Sequence, residues 1–287
     1  MAEVTEKNTS RRSKWIVFVA LFGVGLIWSL YTQHVWEDYY ITYRASKNLA
    51  TGQGLTFTAG ERVHSFTSPL GVLLPALASV LTANTSDDGA LWIFRIFSIS
   101  AYAGAGVFLW LTLRKLFPGS WLAIAMIAIF GLESKIVDFS TNGMETGLLL
   151  FFLGWMVYAC FTHPPRVEWH IGLAWAGLMW SRPDSFIYIG FFGLALLAMP
   201  FASNGASQRK AWFRKLIIAG LITTVVYLPW FIWATVYYGT PIPHTVIAKG
   251  FGAPSRGPMD FVHMVLSFPA HVTTQLDMLR TIFMPPY

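Results

Sequence analysis

Cysteine is nearly absent. Cys160 stands alone inside an apolar segment, which excludes a disulfide framework and any paired-cysteine metal site, and a thiol in such surroundings reads as a small apolar filler rather than a nucleophile. Charge is scarce as well. Asp, Glu, Lys and Arg make up 12% of the 287 residues, about half the share in an average soluble domain. The 20 basic residues outnumber the 14 acidic ones for a net charge of +6, but they stand in short separate groups, with no basic run to grip a nucleic acid. There is no internal repeat, no low-complexity tract, no glycine-rich phosphate loop and no His/Cys spacing for zinc. What fills the chain is apolar: 55% hydrophobic residues and a mean hydropathy of +0.52. These values define a polytopic membrane protein, expected to be all-α because its apolar runs have the length of spanning helices.

The opening "MAEVTEKNTSRRSK" (1–14) is polar and basic, and the apolar run from Trp15 ends without a small-x-small cleavage site. It reads as a cytoplasmic tail followed by an uncleaved signal anchor. Apolar segments able to span fall at 15–34, 91–113, 120–137, 144–162, 169–181, 185–201 and 216–238. A further piece, "SPLGVLLPALASVL" at 68–81, is short and carries Pro75. If it does not cross, Arg11, Arg12, Lys14, Arg114, Lys115, Arg166, Arg209, Lys210, Arg214 and Lys215 all share one side, as the positive-inside rule asks. The segment 68–81 is therefore expected to lie in the outer interface, and 35–90 becomes one long outer loop.

That loop opens with "HVWEDYYITYR" (34–44), where two carboxylates sit side by side at the exit from the first span. Residues 37–50 are expected to form a short interfacial helix stopped by Gly52 and Gly54, with Ile41, Ala45 and Leu49 on one stripe around Asp38 and with Arg44 and Lys47 opposite. An inward Asp38 is placed as a general base would be. The alternative is that Glu37 and Asp38 are first-turn acids that complement the helix dipole. Asp87 and Asp88 in "TSDDGAL" are read in that second way, and a divalent metal, though possible, has little support in the sequence.

"WEDYYITYRASKNLATGQGLTFTAGERVHSFTSPLG", "NGMETGL" (142–148), "SRPDSF" (181–186) and "YYGTPIPHTVIAKG" (237–250) together resemble the membrane glycosyltransferases of the GT-C superfamily. The likeness is strongest to the branch of mycobacterial terminal arabinofuranosyltransferases. It implies a GT-C-like helix bundle at 15–250, with interfacial helices in the first outer loop. It also implies transfer of a sugar from a polyprenyl-phosphate donor to a glycan, lipid or protein acceptor, on the periplasmic side of a bacterial inner membrane. In such enzymes an acid at the outer end of the first helix acts as base, which maps onto Asp38 with Glu37 adjacent. A second outer acid matches Glu145.

The phosphate leaving group calls for cations, and Arg44, Arg62, Arg182 and Lys249 are the outer-face candidates. His64, Asp184 and His244 are the candidates for substrate contact; the branch commonly has Asp or Asn where this chain has His244. The segment 251–287 is expected to lie on the outer face and to begin a further C-terminal region. Two other readings stay open from the sequence: a lipid-glycan flippase using the same cavity without chemistry, and a non-catalytic lipid-binding relative.

Overall fold

The computed structural model describes residues 2–198 and 205–250, with side chains at 12–198 and 209–247. The side chain of Lys249 and all of 251–287 lie outside the described residues. The chain divides into two units, Met1–Pro243 and His244–Tyr287. Of the second, the described part is one helix, His244–Gly250, which begins at His244.

Among the described residues of the first unit, every regular element is a helix. In chain order its helices are α1 (Ala2–Thr32), α2 (Glu37–Ala50), α3 (Pro69–Leu81), α4 (Asp87–Leu116), α5 (Trp121–Leu132), α6 (Ser134–Thr141), α7 (Thr146–Thr162), α8 (Val167–Ser181), α9 (Phe186–Ala198) and α10 (Gly205–Tyr238). A short 3₁₀ turn, Pro183–Ser185, joins α8 to α9. Three stretches, Arg12–Thr32, Asp87–Leu116 and Arg209–Tyr238, are long and apolar enough to cross a membrane. Large apolar side chains such as Ile16, Phe191, Val225 and Val236 face outward. An outward apolar surface of this kind is stable against hydrocarbon rather than water, so the fold is an all-α membrane helix bundle.

The bundle is a row in which α1 packs on α4, α4 on α7, α7 on α8 and α8 on α10. Close approach needs small residues at the crossings. A Cβ on Gly147 of α7 would come within 2.4 Å of the Ser98 carbonyl oxygen on α4, and one on Gly172 of α8 within 2.9 Å of the Ala219 carbonyl oxygen on α10. The α2–α3 pair packs across this row, with α3 touching both α4 and α8.

Local chemistry sets the boundaries of the elements. Ser68 caps α3 by accepting from the Gly71 N–H at 2.8 Å, and Ser86 caps α4 by accepting from Gly89 N–H at 2.9 Å. Asp87 and Asp88 fall in the first turn of α4, the dipole-complementing position expected for them. The expected span at 120–137 is interrupted. It ends at Leu132, and Glu133 starts α6 by accepting from the Ile136 N–H at 2.7 Å. The apolar run hides this break, because a carboxylate cap needs only one residue.

Candidate active site

The predicted helix at 37–50 is α2, and Gly52 and Gly54 follow it with φ of +79° and +89°. Its buried face is not the expected one. Tyr39, Tyr43, Ala45 and Ser46 are buried, whereas Ile41 is 44% exposed and Asp38 is exposed. Three contacts turn the helix this way. Tyr39 lies against Gly143, where φ is +96° and a Cβ would meet the ring at 2.8 Å. Tyr43 donates to Asp87 at 3.0 Å, and Ser46 donates to the Val72 carbonyl at 2.8 Å. Lys47 pairs with Asp87 at 2.6 Å and fastens α2 to the start of α4. Asp38 thus sits at the edge of the buried face, in the open first turn beside Glu37.

Two other segments meet at the same end of the bundle. Glu145 lies in the turn ahead of α7 and is 8% exposed, and the first turn of α3 lies beside it, since a Cβ on Gly71 would sit 3.7 Å from Glu145 Cβ. The Arg182 guanidinium grips Asp184 with two bonds of 3.0 Å, from Nε and from one terminal nitrogen, and reaches Glu145 Oε1 with the other at 3.4 Å. This is the fork geometry that favours arginine. Burial pushes the Glu145 carboxyl above the ordinary carboxylate range; Arg182 pulls it back, and the charges of Asp184 and Asp38 push it further up. Glu145 of "NGMETGL" and the Arg–Asp of "SRPDSF" therefore form one bonded cluster, and of the α2 acids Asp38 acts on it through its charge.

The remaining candidates are placed as follows. Arg44 stacks over Phe57 at 4.6 Å and Arg62 over Tyr237 at 5.0 Å. His64 is buried, lies parallel to Tyr238 at 4.5 Å and meets Phe66 edge-on at 4.9 Å. This aromatic cluster extends through Trp230 to Trp180, 5.6 Å away and two residues ahead of Arg182. His244 opens the helix of the second unit. Among the described residues, no three of His, Cys, Asp and Glu gather as metal ligands would.

Two participants escape sequence reasoning. Asn142 is fully buried; its side chain accepts from the Met144 N–H at 3.2 Å and its carbonyl accepts from the Trp36 N–H at 3.0 Å, tying the loop before Glu145 to the loop before Glu37. Arg95 is 1% exposed within α4 and donates to the His34 and Thr141 carbonyls. Its signal in the sequence is a single charge inside the apolar run "ALWIFRIFSISAY". Beyond Arg182 and Asp184, a cavity of about 450 Å³ opens between α8, α9 and α10; Met179, Phe186, Tyr227 and Phe231 are among its lining residues.

Fold and site together define a membrane helix bundle with an acid–arginine cluster at one end and an apolar slot alongside. Over 275 residues the chain is 30% identical to a terminal beta-(1->2)-arabinofuranosyltransferase of Mycobacterium tuberculosis, a match covering 83% of this chain and 38% of that protein. Over 253 residues it is 29% identical to the terminal beta-(1->2)-arabinofuranosyltransferase of Corynebacterium glutamicum, covering 79% and 35%. The resemblance read from the motifs holds along about four fifths of the chain, which itself spans little more than a third of the length of these curated relatives. No protein-family model and no solved structure matches it.

Proposed function

We propose that the chain is the membrane part of a glycosyltransferase that moves a sugar from a polyprenyl-phosphate donor to an acceptor hydroxyl, in a bacterial inner membrane and on its outer face. The observation that carries this is the convergence of Asp38, Glu145, Arg182 and Asp184 from three distant segments within a region similar to named arabinofuranosyltransferases. The basic groups Lys14, Arg114, Lys115, Arg166 and Arg209 to Lys215 lie at helix ends opposite to this cluster along the alternating row, which supports an outward-facing site.

In the proposed reaction the acceptor oxygen attacks the anomeric carbon, the bond from that carbon to the phosphate oxygen breaks with its electron pair on the phosphate, and the hydroxyl proton passes to Asp38. Asp38 is suited to this because it is open at the first turn of α2, where an incoming hydroxyl can reach it. Arg182 is suited to the phosphate: it is half-exposed and presents a planar fork whose present partner, Asp184, a phosphate oxygen could replace. Glu145 sits behind them and sets the field in which both act. The slot between α8, α9 and α10 begins one turn from Arg182 and suits an isoprenoid chain.

The test is incubation of the purified protein in nanodiscs with a panel of radiolabelled polyprenyl-phosphate sugars and glycan acceptors. A labelled glycan product supports transfer. Movement of the labelled lipid between vesicle leaflets without product would instead support a flippase.

A further inference from the structure

The buried guanidinium of Arg95 lies eight residues into α4, about 12 Å from its start at 1.5 Å per residue. A charge there is costly unless its donors are satisfied. Among the described residues Arg95 forms no ion pair with a carboxylate. Its Nε donates to the carbonyl of Thr141, the last residue of α6, at 3.0 Å, and a terminal nitrogen donates to the carbonyl of His34. The Trp92 ring lies under its carbon at 4.9 Å. The negative end of α6 and the ring face balance the charge in place of an acid.

Both acceptors belong to the segments that carry the acids. His34 lies three residues before Glu37, and Thr141 four residues before Glu145. A second tie, from the Trp36 N–H to the Asn142 carbonyl at 3.0 Å, runs parallel to the first. We infer that Arg95 is a positioning residue: one rigid guanidinium fork fixes the spacing between the Asp38 turn and the Glu145 turn, so that the base and the acid behind it keep a productive geometry. The side chain touches no substrate. Lysine could reach one carbonyl but could not span both with a planar fork. The inference rests on the transferase proposal for its catalytic part and on geometry alone for the spacing.

The experiment pairs kinetics with a distance measurement. In a Cys160→Ala background, Tyr40→Cys on α2 and Lys135→Cys on α6, both exposed, carry spin labels for pulsed electron resonance in nanodiscs. Arg95→Lys and Arg95→Gln are each expected to broaden the distance distribution and to lower kcat by about tenfold to a hundredfold, with donor KM within about twofold of wild type. A distribution as narrow as wild type alongside lost activity would overturn the inference, as would a broadened distribution with kcat unchanged. A broad distribution in the labelled protein with Arg95 intact would overturn it even if neither variant folds. Should the spacing loosen as expected while the protein with Arg95 intact makes no product from any donor, the spacing role stands and the transferase proposal falls.

Discussion

Asp138 and Glu145 stand seven residues apart at the same end of the bundle, yet their surroundings are opposite. Asp138 is surrounded by donors: Trp28 at 3.2 Å, His34 at 3.0 and 3.1 Å, and Asn142 at 3.4 Å. It clasps the end of α1 to α6 and has little capacity left for a ligand. Glu145 is more deeply buried, shares a single arginine with Asp184 and stands in the field of a third acid. A carboxylate whose lone pairs are filled by donors holds structure together. One that is buried and held by a shared cation can change its charge state when a ligand takes that cation.

The comparison can be broken or sharpened by substitution. The largest effect is expected at Asp38→Asn, which should lower transfer by about 10²- to 10⁴-fold, the usual contribution of a general base, while Glu37→Gln should cost about tenfold or less; turnover numbers from the donor-panel assay check both. Arg182→Lys should cost about tenfold to a hundredfold, because the fork is lost while the charge remains. Its pH profile carries a sign. Arg182 pulls the Glu145 titration down, so weakening that contact should move any limb that follows Glu145 to higher pH. A limb that stays in place would dissociate Glu145 from the rate.

Asp138→Asn belongs to the other half of the comparison. It should leave kcat within about twofold and cost about 1–3 kcal/mol of stability through donors left without their acceptor, read as a lower unfolding temperature in detergent. A large kcat loss at full stability would mean that the two acids do not differ in the way described.

The smallest effect concerns Glu145→Gln and stability. A carboxyl whose folded titration lies above its unfolded one binds more protons when folded, so its charged form works against the fold and that penalty is relieved as pH falls through the raised value towards about 4.3. The wild type should therefore gain on Glu145→Gln during acidification from neutral pH, read as a narrowing gap between their unfolding temperatures. Parallel melting curves would show instead that the field around Glu145 is weak.

Much of this end of the molecule is legible in the sequence, for identifiable reasons. The α2 helix announces itself through its acids at the start and glycines at the stop, and α3 through Ser68 before Pro69. The face that α2 buries is not legible, because the choice between the Ile41 stripe and the Tyr39–Tyr43 side is made by Gly143, Asp87 and Val72, which lie up to a hundred residues away. The meeting of Arg182 with Glu145 has no periodic signature, and the family motifs name the residues without giving the contact. The break at Glu133 and the fork of Arg95 are hidden by the apolar runs around them. His64, an open candidate in sequence, lies within an aromatic stack set by Tyr238 and Trp230.

The measurement that bears most directly on the central claim is single-turnover transfer from a polyprenyl-phosphate sugar by the wild-type protein and by Asp38→Asn, reconstituted at equal amount and with matched unfolding temperatures. The account predicts labelled product from the wild type and essentially none from the variant. Equal product from both would contradict the assignment of Asp38 as the base and, with it, the site drawn around Glu145 and Arg182.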